Sequence, residues 1–142
     1  MEIKANGKEY ALRFSFDAAE DRTIVQKVFN YLTGSSMFED MDGNPVQRAL
    51  EGAAITVGNM PQTCIDAVYA GCLEKNAVTR EEAKQIARAY LSENKKNYRD
   101  LFLEIIKAME EDGFFDLSGI TSSLNAMTEN IEKQMAEENP EK

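Results

Sequence analysis

Between Ile3 and Phe14 apolar and polar positions alternate, with Ile3 and Ala5 before Asn6-Gly7 and Tyr10, Leu12 and Phe14 after it. Alternation at a period of two is the mark of a strand with one covered face. Asn-Gly is the dipeptide that best tolerates the two positive φ angles of a type I′ turn, so the stretch predicts a two-stranded hairpin. A lone hairpin is marginal in water. Its apolar face must therefore pack on helices of the same chain or on another copy.

From Asp17 the period lengthens. Asp17 and Glu20 have the spacing of a capping box, Val25, Val28, Phe29 and Leu32 recur at helical steps, and Gly34 stands where a C-cap glycine would. Residues Gly34 to Asn44 read as a loop. A second helix is expected from Pro45 to Val57, with the proline at a tolerated first-turn position. Gly52 weakens that helix by about 1 kcal/mol relative to alanine.

Three stronger stripes follow. Ile65, Val68, Tyr69, Cys72 and Leu73 form the first, and Ala83, Ile86, Ala87, Tyr90 and Leu91 the second. Leu101, Phe102, Ile105, Ile106 and Met109 form the third. Each is wide enough for a core-facing helix. Thr79 and Glu82 make a capping box, Asn94 to Asn97 separate the last two helices, and Gly113 ends the third. Beyond it Phe114, Phe115 and Leu117 cluster. Leu124, Met127, Ile131 and Met135 then step by three and four along an otherwise polar helix from Thr121. The residues from Glu137 onward are too polar to bury. The pattern predicts a mainly α, multi-helix domain with a small N-terminal β-hairpin over 1–116, and a polar helix with a frayed acidic tail over 117–142.

At 142 residues the chain fits one domain. Its net charge of −9 argues against nucleic acid, whose phosphates need Lys and Arg, and against anionic membrane surfaces. A basic protein partner stays open. With no apolar leader and no run of about 18 apolar residues, a cytoplasmic location is expected.

Chemistry is sparse. The chain has no histidine, the usual general base near neutral pH and the commonest transition-metal ligand. Cys64 and Cys72 are the only cysteines. Two thiols at this spacing do not make a zinc site, and about 12 Å of helix between their Cα atoms prevents a bridge within one helix. They read as core thiols. Asp40-Met-Asp42-Gly43 fails as a calcium loop, because Phe38 and Ala49 would occupy the positions that require carboxylates. No phosphate-cradling glycine loop is present. We therefore expect no catalytic residues, no cofactor and no metal, and a protein that is not an enzyme.

What remains is surface for partners. The Phe114, Phe115, Leu117 and Ile120 cluster either closes the core or forms a binding patch. The Leu124, Met127, Ile131 and Met135 stripe either docks on the domain or binds a partner, a use that flexible, polarizable Met side chains suit.

Two stretches resemble the tail assembly chaperones of long, non-contractile-tailed bacteriophages and prophages of Gram-positive bacteria. One is Ile3-Lys-Ala-Asn-Gly-Lys-Glu-Tyr10 through Leu12-Arg-Phe14 into an acidic helix. The other is Ala67-Val-Tyr-Ala-Gly71-Cys-Leu73 through Asn76, then Val78-Thr79 and the helix from Arg80 to Asn94. The end of a later helix, Glu110-Glu-Asp-Gly113-Phe114, is also similar. The resemblance spans Met1 to Phe115, whereas Gly34 to Gly58 follow no family pattern and Cys72 replaces a more usual apolar residue.

The resemblance implies a helical protein that self-associates as a homo-oligomer and binds the tape measure protein, and with it the tail tube subunit. Such a chaperone works in the bacterial host cytoplasm, is absent from the mature virion, and is often also made as a longer, frameshifted product. It brings no catalytic residues. On this reading Ile3, Tyr10, Leu12 and Phe14 are the candidate self-association residues. Phe114, Phe115, Leu117, Ile120, Leu124, Met127, Ile131 and Met135 are the candidate client contacts. A structural tail completion or connector protein, and an acidic inhibitor of a host protein, are the alternatives.

Overall fold

A computed structural model describes residues 1–37 and 45–138, with side chains placed at 1–33 and 57–137. The protein is mainly α with a small N-terminal hairpin. Strands β1 (Glu2–Ala5) and β2 (Lys8–Ala11) pair antiparallel, Ile3 opposite Tyr10. Asn6 and Gly7 take φ of 53° and 78°, the two positive angles of the expected I′ turn. The ladder extends one step further, where Met1 and Leu12 exchange bonds of 2.7 and 3.1 Å.

The hairpin packs on helices of its own chain. Ile3, Ala5, Leu12 and Phe14 are buried, and the Asn6 amide donates to Glu93 Oε1 at 2.8 Å. After β2 the chain crosses closely over helix α3 (Pro45–Cys72), where the Arg13 amide donates to the Gly71 carbonyl at 2.8 Å. That approach is tight enough to favour glycine. A Cβ at Gly71 would meet Leu12 Cβ, Leu12 Cγ and Phe14 Cε1, each at 3.0 Å.

Helix α1 (Phe16–Ala19) is a single turn whose N-cap, Ser15, makes no side-chain cap bond, so Asp17 and Glu20 form no capping box. The cap lies further on: the Ile24 amide donates to Asp21 Oδ1 at 3.0 Å and opens α2 (Arg22–Met37). Helix α2 runs through Gly34, so that residue is not its C-cap. Its buried face carries Ile24 and Val28, while Val25 and Phe29 are half-buried and Leu32 is exposed. The apolar stripe of α2 is thus wider than the body covers. Residues 38–44, with the Asp40-Met-Asp42-Gly43 stretch, lie outside the described residues.

The expected break before the central stripes is absent: α3 runs unbroken through Pro61. A proline there removes the bond to the carbonyl four residues back, at Val57. Residues 57–59 are exposed, so water can satisfy that carbonyl. Helix α4 (Arg80–Asn94) starts at the expected box, with Glu82 N to Thr79 Oγ1 at 3.1 Å and Thr79 N to Glu82 Oε1 at 3.3 Å. Helix α5 (Tyr98–Glu111) has a second box, Asn97 with Asp100. All five residues of the α4 stripe are buried, as are Leu101, Phe102, Ile105 and Met109 of α5. Gly113 (φ 79°) turns the chain into α6 (Phe114–Leu117), and Gly119 (φ 83°) into α7 (Ile120–Glu138).

The expected division at residue 117 falls at the end of α6. Ile120 still belongs to the core and Leu124 packs against it, and the helix leaves the body only after that. Among the described residues no helix is long and apolar enough to cross a membrane.

Candidate functional site

Two polar clusters hold the helices in place. Asp66 on α3 is 2% exposed. It accepts from Lys27 of α2, from Arg80 Nη1 of α4 at 2.7 Å and from Gln62 at 3.3 Å. Arg80 also lies 3.7 Å from Asp21 and stacks 4.2 Å over the Tyr69 ring. The arrangement joins three helices, α2, α3 and α4, at one buried carboxylate. In the second cluster Tyr90 donates to Glu104 at 2.6 Å, and Lys96 reaches both Glu104 and the Tyr90 oxygen, at 2.6 and 3.2 Å. Burial and the Glu104 carboxylate push the Tyr90 phenol up, so it keeps its proton, while the bond to Glu104 chiefly holds Lys96 protonated. Paired in this way, these groups fasten α4 to α5. No group of three or more His, Cys, Asp or Glu among the described residues is placed to hold a metal ion.

Cys64 and Cys72 are free thiols buried on α3, and Cys64 donates to the Tyr98 carbonyl at 3.4 Å. Burial pushes Cys64 up to about 12 and Cys72 up to about 11, from an ordinary 9.0. Since the thiolate is the reactive form, both should resist iodoacetamide at about pH 8 in the folded protein and react once urea unfolds it. Rapid alkylation of the native chain would contradict this burial. The unfolded chain releases these protons from about pH 9 upward while the folded chain retains them. Stability present below that pH should therefore be lost as pH rises toward the folded values.

The residues singled out from the sequence separate into two groups. Ile3, Leu12 and Phe14 are 0% exposed inside the chain's own core, with Tyr10 half-buried beside them. The three buried side chains bind the hairpin to its own helices and, while the body is folded, offer no contact to a second copy. Phe114 and Ile120 are likewise buried and close the core. Phe115 and Leu124 are half-buried; Leu117, Met127, Ile131 and Met135 are 45%, 40%, 54% and 61% exposed.

Every residue of α7 from Asn125 to Glu137 is exposed, so Met127, Ile131 and Met135 have no partner among the described residues of the body. At the root of α7 two grooves open against α2. One, of about 400 Å³, has Leu32, Ile106, Phe115 and Leu124 on its apolar walls and Glu110 and Asp116 among its lining. The other, of about 440 Å³, is walled by Val25, Phe29 and Ile120 with Arg22 beside them. The helical spacing of Val25, Val28, Phe29 and Leu32 puts them on one stripe of α2. The incomplete burial of Val25, Phe29 and Leu32 is what makes them part of this surface.

Compared with known proteins, the chain matches no family model, no curated protein and no solved structure.

Proposed function

We propose that this protein is a non-enzymatic tail assembly chaperone of a long-tailed bacteriophage or prophage. In this role it binds the tape measure protein, and with it the tail tube subunit, in the host cytoplasm and stays out of the finished virion. The observation that carries the reading is the exposed Met127, Ile131 and Met135 stripe of α7, which has no partner among the described residues. Amphipathic faces of this kind take up apolar helical segments, and Met-rich ones adapt to more than one register. The motif order from Ile3 to Phe114 supports the same reading. Self-association, which the resemblance also implies, has to use surface other than Ile3, Leu12 and Phe14.

Co-expression with the tape measure protein of a long-tailed phage tests the proposal. The full chain should keep that protein in the soluble fraction and co-purify with it, whereas a chain ending at Leu124 should retain its own fold and lose the client. Recovery of the protein in purified virions would favour a tail completion or connector subunit instead. Equal client retention by the shortened chain would remove α7 from the binding surface.

A further inference from the structure

The charge of this chain is concentrated at one end. Residues 110–142 hold nine Asp and Glu against two Lys, a net −7 of the total −9. Residues 1–109 hold sixteen acidic against fourteen basic side chains. Within that part, the described acidic side chains border the apolar surface that has no partner among the described residues. Glu110 and Asp116 line the groove that ends at Leu124, and Glu129, Glu132 and Glu137 project from α7 against Lys133. From Leu124 to Met135 the stripe extends about 16 Å at 1.5 Å per residue, three turns of helix. Leu32 of α2 and Ile106 of α5 continue it past the root of α7.

We propose that the groove and the α7 stripe together seat a basic amphipathic helix, its apolar face on Leu124, Met127, Ile131 and Met135 and its Lys or Arg flanks against the acidic rim. The inference deepens the chaperone reading and rests on it for the biological identity of the helix. Two physical effects divide the work. Apolar burial supplies the affinity, and the acidic rim selects the sign of the partner and speeds its approach. A second copy is the poorer occupant. It would bring the acidic rim of Glu110, Asp116, Glu129, Glu132 and Glu137 against its own copy within about 8 Å, the screening length at physiological salt, where like charges still repel.

The test uses the full chain and three labelled synthetic peptides as long as α7, read by fluorescence anisotropy. One has a Leu face and a Lys face, the second has Glu in place of Lys, and the third keeps Lys but replaces Leu with Ser. The Leu/Lys peptide should bind at least tenfold more tightly than either of the others, and its affinity should fall as salt rises. The variant M127Q/I131Q/M135Q changes only exposed positions and so leaves the core intact; it should bind the Leu/Lys peptide at least tenfold more weakly. Equal binding of the Leu/Glu peptide would overturn the charge assignment, and undiminished binding by the variant would overturn the surface. Self-association that strengthens with salt and disappears in the variant would make a second copy the occupant, against the proposal. Binding of the Leu/Lys peptide without retention of the tape measure protein would leave this inference standing and sink the proposed function. Retention of that protein by the triple variant would do the reverse.

Discussion

Replacing Phe14 with alanine should lower the unfolding free energy by about 3–5 kcal/mol, the range for removing a fully buried aromatic side chain. A domain of this size is stable by only about 5–15 kcal/mol, so one ring accounts for a large share. Phe14 is 0% exposed and sits where three parts of the chain meet. Its ring lies over Gly71 of α3, and its amide donates to Asp112 Oδ2 at the end of α5, at 3.0 Å. The neighbouring Arg13 amide is fastened to the Gly71 carbonyl. A cavity at this point has little freedom to collapse, because the backbone on both sides is held by hydrogen bonds. Phe16 supplies the control. It is two residues away, of the same chemistry and 68% exposed, so Phe16→Ala should change stability by no more than about 0.5 kcal/mol. Urea denaturation of both variants checks the contrast; similar midpoints would mean that the hairpin is not docked through Phe14.

That contrast shows what periodicity can and cannot reveal. The hairpin was legible because Asn6-Gly7 sets the turn and the alternation sets which side chains share a face. Its destination was not, since an apolar face is equally apolar whether it meets its own helices or another copy. The α4 stripe was legible because it is covered on its whole width, and the α5 stripe because all of it but Ile106, which is half-buried at the groove, is covered. The α2 stripe misled by one position: a run of apolar residues says which side faces inward, while its covered width depends on what the rest of the chain places there. Ile24 and Val28 are taken by the core, and Val25, Phe29 and Leu32 are left at its edge. The α1–α2 boundary was missed because two acidic residues had cap-like placement and only Asp21 meets a free amide. The break expected before Ile65 was wrong because Pro61 removes one hydrogen bond and a long amphipathic helix can lose one where water replaces it. The exposed α7 stripe could be read from its narrowness and its methionines, but its two outcomes, docked or free, differ only in whether the body offers a complementary face.

The polar centre of the fold was invisible in the sequence. Lys27 and Arg80 lie 39 and 14 residues from Asp66, and nothing in their local spacing joins them. Their energetics lead to the second large effect. Replacing both cations, as in K27M/R80M, should destabilise the protein by about 3–5 kcal/mol, because a carboxylate cut off from water would be left with a weak partner. That partner is the Gln62 amide at 3.3 Å, and Asp66 is only 2% exposed. The opposite deletion is milder. Asp66→Asn should cost about 1–3 kcal/mol, since the cations it strands can turn toward solvent. The Lys27 and Arg80 side chains are 33% and 45% exposed, and Arg80 keeps Asp21 and the Tyr69 ring. Replacing all three with apolar residues of similar size should be close to neutral, because it removes the burial penalty along with the attraction. Chemical denaturation at neutral pH gives the order: double cation variant least stable, Asp66→Asn next, triple replacement nearest the parent. If Asp66→Asn were the costliest, the cations and not the carboxylate would be the desolvated members, contrary to their exposure. In the expected order the cluster's main contribution is to fix α2, α3 and α4 in one register, which in turn positions the wall of α2 beside the root of α7.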